Sequence, residues 1–183
     1  KNALVVESSD IESTTTGIKG FIKRVFVSRI SKVYASGKSQ RKLTDSLGFK
    51  GETIITKGVG IFNYISQPPF TPRSEVKNFI YVGRLTRVKN LEYLIDKFNQ
   101  HPELNLTIVG FGELEDTLKA MAKSNIKFTG AINNKDLHTY YQNADVFILP
   151  SIVEPWGLVV EEAFNNGTPV MVSNNVGCAE EIV

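Results

Sequence analysis

From residue 78 onward the apolar positions fall into two alternating kinds of run. Short continuous apolar runs at 78–82, 104–109, 126–129, 145–149 and 169–172 read as strands. Between them, at 91–99, 113–122, 134–142 and 158–165, apolar residues recur at helical spacing. A strand that is apolar on both faces is covered on both faces, and strands that alternate with helices are parallel. The pattern therefore predicts an α/β domain, a Rossmann-like parallel sheet with helices on both faces. The first 72 residues are less regular. Residues 17–32 set Ile18, Phe21, Ile22, Val25, Phe26 and Ile30 at helical spacing, with Lys19, Lys23, Arg24 and Arg29 opposite, which predicts a basic amphipathic helix. A short strand at 33–35, a polar helix at 36–47 closed by Gly48, and a strand at 53–56 follow, then Gly58-Val59-Gly60. Residues 1–16 turn polar after the short run Ala3–Val6, and no element is assigned there. Gln67-Pro68-Pro69-Phe70-Thr71-Pro72 has the composition of a linker. It divides the chain into domains 1–72 and 73–183.

Composition narrows the classes. The chain has 183 residues, 42% of them hydrophobic, enough for one core or for one domain plus a piece of another. Net charge is +2, but residues 1–50 hold ten Lys or Arg against four Asp or Glu, and the remainder eleven against fifteen. A basic first third faces an anionic membrane or substrate, or is simply a solvated surface. Bulk charge does not point to nucleic acid. Cys178 is the only cysteine, which excludes an intrachain disulfide and fits a reducing compartment. His101 and His138 have no second His or Cys nearby, so no metal site is expected. No apolar run reaches the ~20 residues of a membrane span, and the start lacks a leader's long apolar core. The first residue is not Met, so the expectation is a piece of a longer chain.

The chemistry gathers at the strands' carboxyl ends. After the strand at 78–82 come Gly83, Arg84, Arg87, Lys89 and Asn90. Ligands of doubly wound sheets collect beyond those ends. A guanidinium and an ammonium there suit a diphosphate, the plain alternative being a solvated loop. Asn90 is placed to cap the next helix. After the strand at 145–149 comes Glu154-Pro155-Trp156-Gly157-Leu158-Val159-Val160-Glu161-Glu162. Free N–H groups at the helix start near Gly157 attract phosphate. Glu162 one turn inside is explained cheaply by the helix dipole, whereas Glu154, before Pro and Trp at a strand end, is not. Cations on one loop and carboxylates on another fit a ligand with a diphosphate at one end and hydroxyls at the other, a nucleotide sugar. Gly110-Phe111-Gly112 begins like a dinucleotide fingerprint but follows the second strand, with Glu115 where the last glycine belongs. Gly130-Ala131-Ile132 offers backbone groups to a base or is an ordinary turn, and Gly177 permits close backbone approach to a ligand. Cys178 reads as a small buried side chain, Trp156 as a packing wedge, and His138 as exposed.

Several of these pieces, in order, resemble the C-terminal half of a GT-B glycosyltransferase of the family-four type. They are Gly83-Arg84 with Lys89-Asn90, Gly110-Phe111-Gly112, the run from Ala144-Asp145 to Pro150-Ser151, Glu154-Pro155-Trp156-Gly157-Leu158, Glu162-Ala163, Gly167-Thr168-Pro169-Val170 and Glu181-Ile182-Val183. Residues 33–65 resemble the end of such enzymes' N-terminal domain, with Gly58-Val59-Gly60-Ile61 in place of Asn-Gly-Val-Asp. The resemblance implies a GT-B donor domain, truncated at its C-terminus, plus a remnant of the acceptor-side domain. It implies sugar transfer with retention from a nucleoside diphosphate sugar such as a UDP- or GDP-sugar, with no metal and no other cofactor. Arg84 and Lys89 would hold the diphosphate and offset the leaving group's charge, and Glu154 would bind the sugar hydroxyls. N–H groups at Gly157, Leu158 and Val159 would bind phosphate, Glu162 the ribose, and Ala131 and Ile132 the base. The acceptor, a glycan or lipid-linked glycan, would bind the missing N-terminal domain, so the fragment alone is expected to be inactive. A cytoplasmic location, at the inner face of a membrane if the helix at 17–32 touches lipid, goes with that reading. Gly177-Cys178 departs from the family's Gly-Gly, and Trp156 from its more common Phe. Two other readings stand beside it: an NAD-dependent Rossmann oxidoreductase, and a nucleotide-sugar-binding module without catalysis.

Overall fold

The computed structural model describes residues 2–61, 64–70 and 72–183. Thr71 of the expected linker lies outside the described residues. Along the chain the first elements are β1 (Ala3–Val6), α1 (Gly17–Val27), β2 (Lys32–Ala35), α2 (Lys38–Ser46) and β3 (Glu52–Ile55). Next come β4 (Asn78–Val82), a 3₁₀ turn (Arg87–Lys89), α3 (Leu91–Gln100), β5 (Asn105–Val109), α4 (Glu115–Met121), β6 (Ile126–Gly130) and α5 (Asn134–Asn143). The last are β7 (Val146–Leu149), α6 (Leu158–Asn165), β8 (Val170–Val172) and α7 (Ala179–Ile182). Their contacts separate two compact units. One comprises residues 1–60, 153–158 and 174–183, the other residues 61–152 and 159–173.

The first unit holds a parallel three-stranded sheet in the order β1-β2-β3, with Val5 opposite Tyr34 and Tyr34 opposite Ile54. Val6, Val27, Val33, Ala35, Leu43, Leu47 and Phe49 form its core. β1 is the strand that the sequence pattern did not assign. Only Val6 of its four residues is buried, so it carries no alternation to read. α1 ends at Val27, five residues short of expectation. The N–H groups of Arg29 and Ile30 turn back to the carbonyls of Phe26 and Val27, and those of Ser31 and Lys32 then bond Asn2 O. The sheet, not the helix, satisfies the backbone from that point. The buried side of α1 is Gly20 and Val27, whereas Ile18, Phe21, Ile22 and Phe26 are exposed. Two of its cations bond the preceding segment: Lys23 Nζ donates to Ser13 Oγ at 2.7 Å and Arg24 to Thr15 O at 3.0 Å.

The second unit is a five-stranded, fully parallel sheet in the order β6-β5-β4-β7-β8. Right-handed crossovers set α3 and α4 on one face and α5 and α6 on the other, and α3 does touch α4. This is the expected Rossmann-like arrangement. Tyr81, Ile80, Leu106, Ile108, Phe147 and Leu149 of the strands are buried, as are Leu91, Leu94 and Ile95 of α3. Each aliphatic side chain so covered contributes about 2 kcal/mol. α4 starts at Glu115, two residues later than expected, after a turn in which the Leu114 N–H donates to Leu85 O and the Glu115 N–H to Gly112 O, both at 3.1 Å.

One buried acid fastens the amino ends of β4 and β7. Asp145, its side chain 3% exposed, accepts the N–H groups of Lys77 (3.0 Å) and Asn78 (2.8 Å) and the Asn78 side-chain amide on Oδ2, while Oδ1 faces Arg73 Nε at 3.2 Å. Burial pushes this carboxyl up, but the Lys77 and Asn78 donors and the Arg73 guanidinium together hold it below the usual carboxylate range. A depressed folded value stabilises the fold above the unfolded value of about 3.9, and that stability is lost as pH falls through the folded value. Asp145→Asn is therefore expected to cost about 2 kcal/mol at pH 7, and much less near pH 3. Urea denaturation at both pH values tests this, and an equal loss at both would remove the charge from the account.

Candidate functional site

The order reversal of the second sheet lies at β4, flanked by β5 and β7. The chain after β4 is fixed there by backbone bonds. Gly83 N–H reaches Val109 O at 3.0 Å, and Leu85 N–H reaches Phe111 O at 2.9 Å. Leu85 is fully buried, and the Tyr81 hydroxyl donates to Arg84 O at 2.8 Å, which leaves the Arg84 side chain exposed. Lys89 follows at the end of the 3₁₀ turn and is half-buried. Asn90 does not cap α3. Its backbone is left-handed, at φ 58°, and its amide donates instead to Pro150 O at 3.3 Å. Ile152 N–H then donates to Val88 O at 2.8 Å. The loops that follow β4 and β7 are thus tied together across the reversal, where an open α/β sheet takes its ligands. Two buried hydroxyls in the same two loops, Thr86 Oγ1 and Ser151 Oγ, find no hydrogen-bond partner among the described residues.

The loop after β5 needs its glycines for space. A Cβ on Gly110, at φ 138°, would overlap Gly83 O, and one on Gly112 would press on the Leu85 backbone. Phe111 between them is exposed. The Gly110 N–H donates to Gly130 O at 2.9 Å, so Ala131, exposed, and Ile132, half-buried, begin the adjacent loop.

Glu162 is half-buried on α6, and the Tyr141 hydroxyl of α5 donates to its Oε2 at 3.0 Å. Both line a cavity of about 300 Å³ that also takes in Asn134, Lys135, His138 and Asn165. Burial pushes the Glu162 carboxyl up, the Tyr141 hydrogen bond opposes that, and the charge of Glu161 adds to it. Burial first, and then the Glu162 charge, push the Tyr141 phenol far above its ordinary range. Tyr141 was not singled out by the sequence. Its only signal is that it falls one helical turn after Leu137, on the buried side of a helix that reads as polar.

Glu154, Gly157 and Leu158 fall in the other unit, whereas Arg84, Lys89, Ala131, Ile132, Val159 and Glu162 fall in this one. The turn that holds Glu154 is built from backbone. Glu154 N–H donates to Asn175 O at 3.1 Å, Gly177 N–H to Glu154 O at 2.9 Å, and Cys178 N–H to Trp156 O at 3.0 Å. Gly177 admits a close backbone neighbour, since a Cβ there would overlap Pro155 O. Gln40 Nε2 donates to Pro155 O at 2.7 Å, and Trp156 is buried beside Gly37, the packing wedge that was expected. Cys178 is fully buried. Gly157, at φ 95°, turns the chain into α6. Among the described residues no group of three His, Cys, Asp or Glu could hold a metal ion, and no helix is long and apolar enough to cross a membrane.

Residues 66–183 match the sequence profile of a family described as Glycosyl transferases group 1. An uncharacterized glycosyltransferase, MJ1607 of Methanocaldococcus jannaschii, is 37% identical over 119 residues, which is 61% of this chain and 30% of that protein. Among solved structures, the sucrose-phosphate synthase of Thermosynechococcus elongatus superposes with a TM-score of 0.77 at 20% identity, over 99% of this chain and 52% of that one. Anabaena HepE, solved in complex with UDP and glucose, superposes with a TM-score of 0.67 at 18% identity, over 97% of this chain and 54% of that one. The chain spans about a third of the length of the curated relatives it matches, 30% of one and 34% of another.

The tight lacing of the rim has a measurable consequence. Gly110→Ala, which needs a strained φ and displaces the Gly83 carbonyl, is expected to cost about 3 kcal/mol. Gly130→Ala, at φ 72° in open space, should cost about 1 kcal/mol. Urea midpoints of the two variants compare them, and equal costs would mean that the loops are not packed backbone to backbone.

Proposed function

The chain belongs to the group 1 glycosyl transferases, and from that premise we propose that it supplies the donor-binding part of an enzyme that moves a sugar, with retention of configuration, from a nucleoside diphosphate sugar to a glycan or lipid-linked acceptor. The observation behind this is the loop after β4, which is locked by Leu85, bonded to the loop after β7, and presents Arg84 with Lys89 close behind. In the transfer, the bond from the sugar's anomeric carbon to the diphosphate oxygen breaks, one to an acceptor hydroxyl oxygen forms on the same face, and the hydroxyl's proton passes to the departing diphosphate. Arg84, Lys89 and the N–H groups of Gly157, Leu158 and Val159 would offset the charge that develops on the leaving diphosphate. Glu154 would accept hydrogen bonds from the sugar hydroxyls, and Glu162 from the ribose. Ala131 and Ile132 would present backbone groups to the base. No metal or other cofactor enters this scheme. The orphaned hydroxyls of Thr86 and Ser151 are groups that a polar ligand could satisfy. HepE's complex with UDP supports the choice of a nucleoside diphosphate by analogy of fold alone. The oxidoreductase reading finds no support in the family match. A binding module without transfer activity also fits the family match. Cytoplasmic location belongs to the proposal, as does a peripheral membrane contact through the exposed Ile18, Phe21, Ile22 and Phe26 of α1.

Thermal shift with UDP, GDP, ADP and NAD tests the ligand class. One of the three diphosphates should stabilise the chain, and stabilisation by NAD alone would overturn the proposal. With that nucleotide and its sugar conjugate, Lys89→Ala should weaken binding of both about tenfold or more. Glu154→Gln should weaken the conjugate about tenfold and the bare nucleotide less than about twofold. Equal losses from Glu154→Gln would assign that residue to the wrong end of the ligand.

A further inference from the structure

We infer that Tyr141 is a positioning residue for nucleoside recognition: its buried hydroxyl fixes the Glu162 carboxylate in the orientation that accepts a ribose cis-diol. This rests on the assignment of Glu162 to the ribose. Tyr141 is 1% exposed. Its ring lies 5.9 Å from that of Phe147, and its carbonyl accepts the Thr168 hydroxyl at 2.7 Å, so both ends of the residue are held. Its hydroxyl meets Glu162 Oε2 at 3.0 Å. A glutamate side chain has three rotatable bonds, and a ligand that must order them itself binds more weakly. Tyr141 settles that geometry before the ligand arrives, at the edge of a cavity of about 300 Å³. The hydrogen bond occupies one lone pair of Oε2. It leaves Oε1 and the second lone pair of Oε2 to accept from two adjacent hydroxyls. The proton stays on the phenol, because burial and the adjacent carboxylate both resist its loss. The same bond favours the ionised form of Glu162 against the burial that disfavours it. The carboxylate is therefore kept as an acceptor for a diol.

The test compares UDP, GDP and ADP with their 2′-deoxy counterparts by titration calorimetry on the whole chain, wild type and Tyr141→Phe. The wild type should prefer the ribonucleotide of its own base by about tenfold. Tyr141→Phe should lose about five- to tenfold for the ribonucleotide and less than about twofold for the deoxynucleotide, so that the preference collapses. A purely structural role would weaken both alike, and that result, or an unchanged preference, overturns the inference. Glu162→Gln should collapse the preference as well, and adding Tyr141→Phe to it should change the ratio no further. Independent, additive losses would also overturn the inference. A wild type that binds the ribonucleotide without any preference refutes the ribose assignment of Glu162, and this inference with it, while leaving the diphosphate roles of Arg84 and Lys89 standing.

Discussion

The hydrogen bond from Ile152 N–H to Val88 O, 2.8 Å long, is the contact on which the second unit's functional rim depends. A parallel sheet whose order reverses at β4 splays its crossovers to opposite sides, which opens a crevice but does nothing to fix the loops that line it. Here those loops are fixed by backbone. Ile152 and Asn90 tie the chain after β7 to the chain after β4, and Leu85 and Gly83 tie that chain to the loop after β5. Gly110 ties the latter to the loop after β6. The rim is a continuous row of peptide contacts from which only a few side chains project. Arg84 and Phe111 are two of them. The row fixes the backbone from which Arg84 projects, so a ligand proposed for that cation would have only its side chain to order.

Much of this was legible in the sequence because the second unit is regular. The five strands and the helices α3 to α6 fall within two residues of their periodicity-based bounds, since strands buried on both faces must be continuous apolar runs, whereas the short α7 was not assigned. The failures share a cause. β1 is an exposed edge whose pairing is decided by β2, about thirty residues away, and a window of its own four residues cannot show that. α1 stops early because the carbonyl of Asn2 claims the N–H groups of Ser31 and Lys32. Its apolar spacing is real, but it records which residues are apolar and not which face is covered. Asn90 has the composition of a cap, and a left-handed backbone aims its amide elsewhere. In each case a long-range backbone partner overrides a local preference.

At the candidate site, the sequence named residues by type and order. What it left out are the residues that support them. Leu85 is an ordinary apolar residue until its N–H and C=O are both found to be engaged with the next loop. Tyr141 is one tyrosine of six until its hydroxyl is found on Glu162. Gly177 is one glycine of fourteen until a Cβ there is found to overlap Pro155 O. Supporting residues of this kind carry no signature of spacing, because their partners come from other elements of the fold.

Asp145 and Glu162, two acids of the second unit, illustrate how supply and demand of hydrogen bonds separates structure from function. Both lose water on folding. Asp145 gets three N–H donors and a guanidinium in return, and its carboxyl is held down. Its needs are met within the chain, so it acts as a fastener between β4 and β7. Among the described residues Glu162 receives one hydroxyl, and burial pushes its carboxyl up. A charge that a fold desolvates and then under-supplies is a cost unless something else completes its shell. Under the proposed ribose assignment, a nucleoside would complete it with two hydroxyl donors on adjacent carbons. Asp145 is finished by the fold, with donors from Lys77, Asn78 and Arg73 around it, while the proposed ribose would take the acceptor positions of Glu162 that Tyr141 leaves.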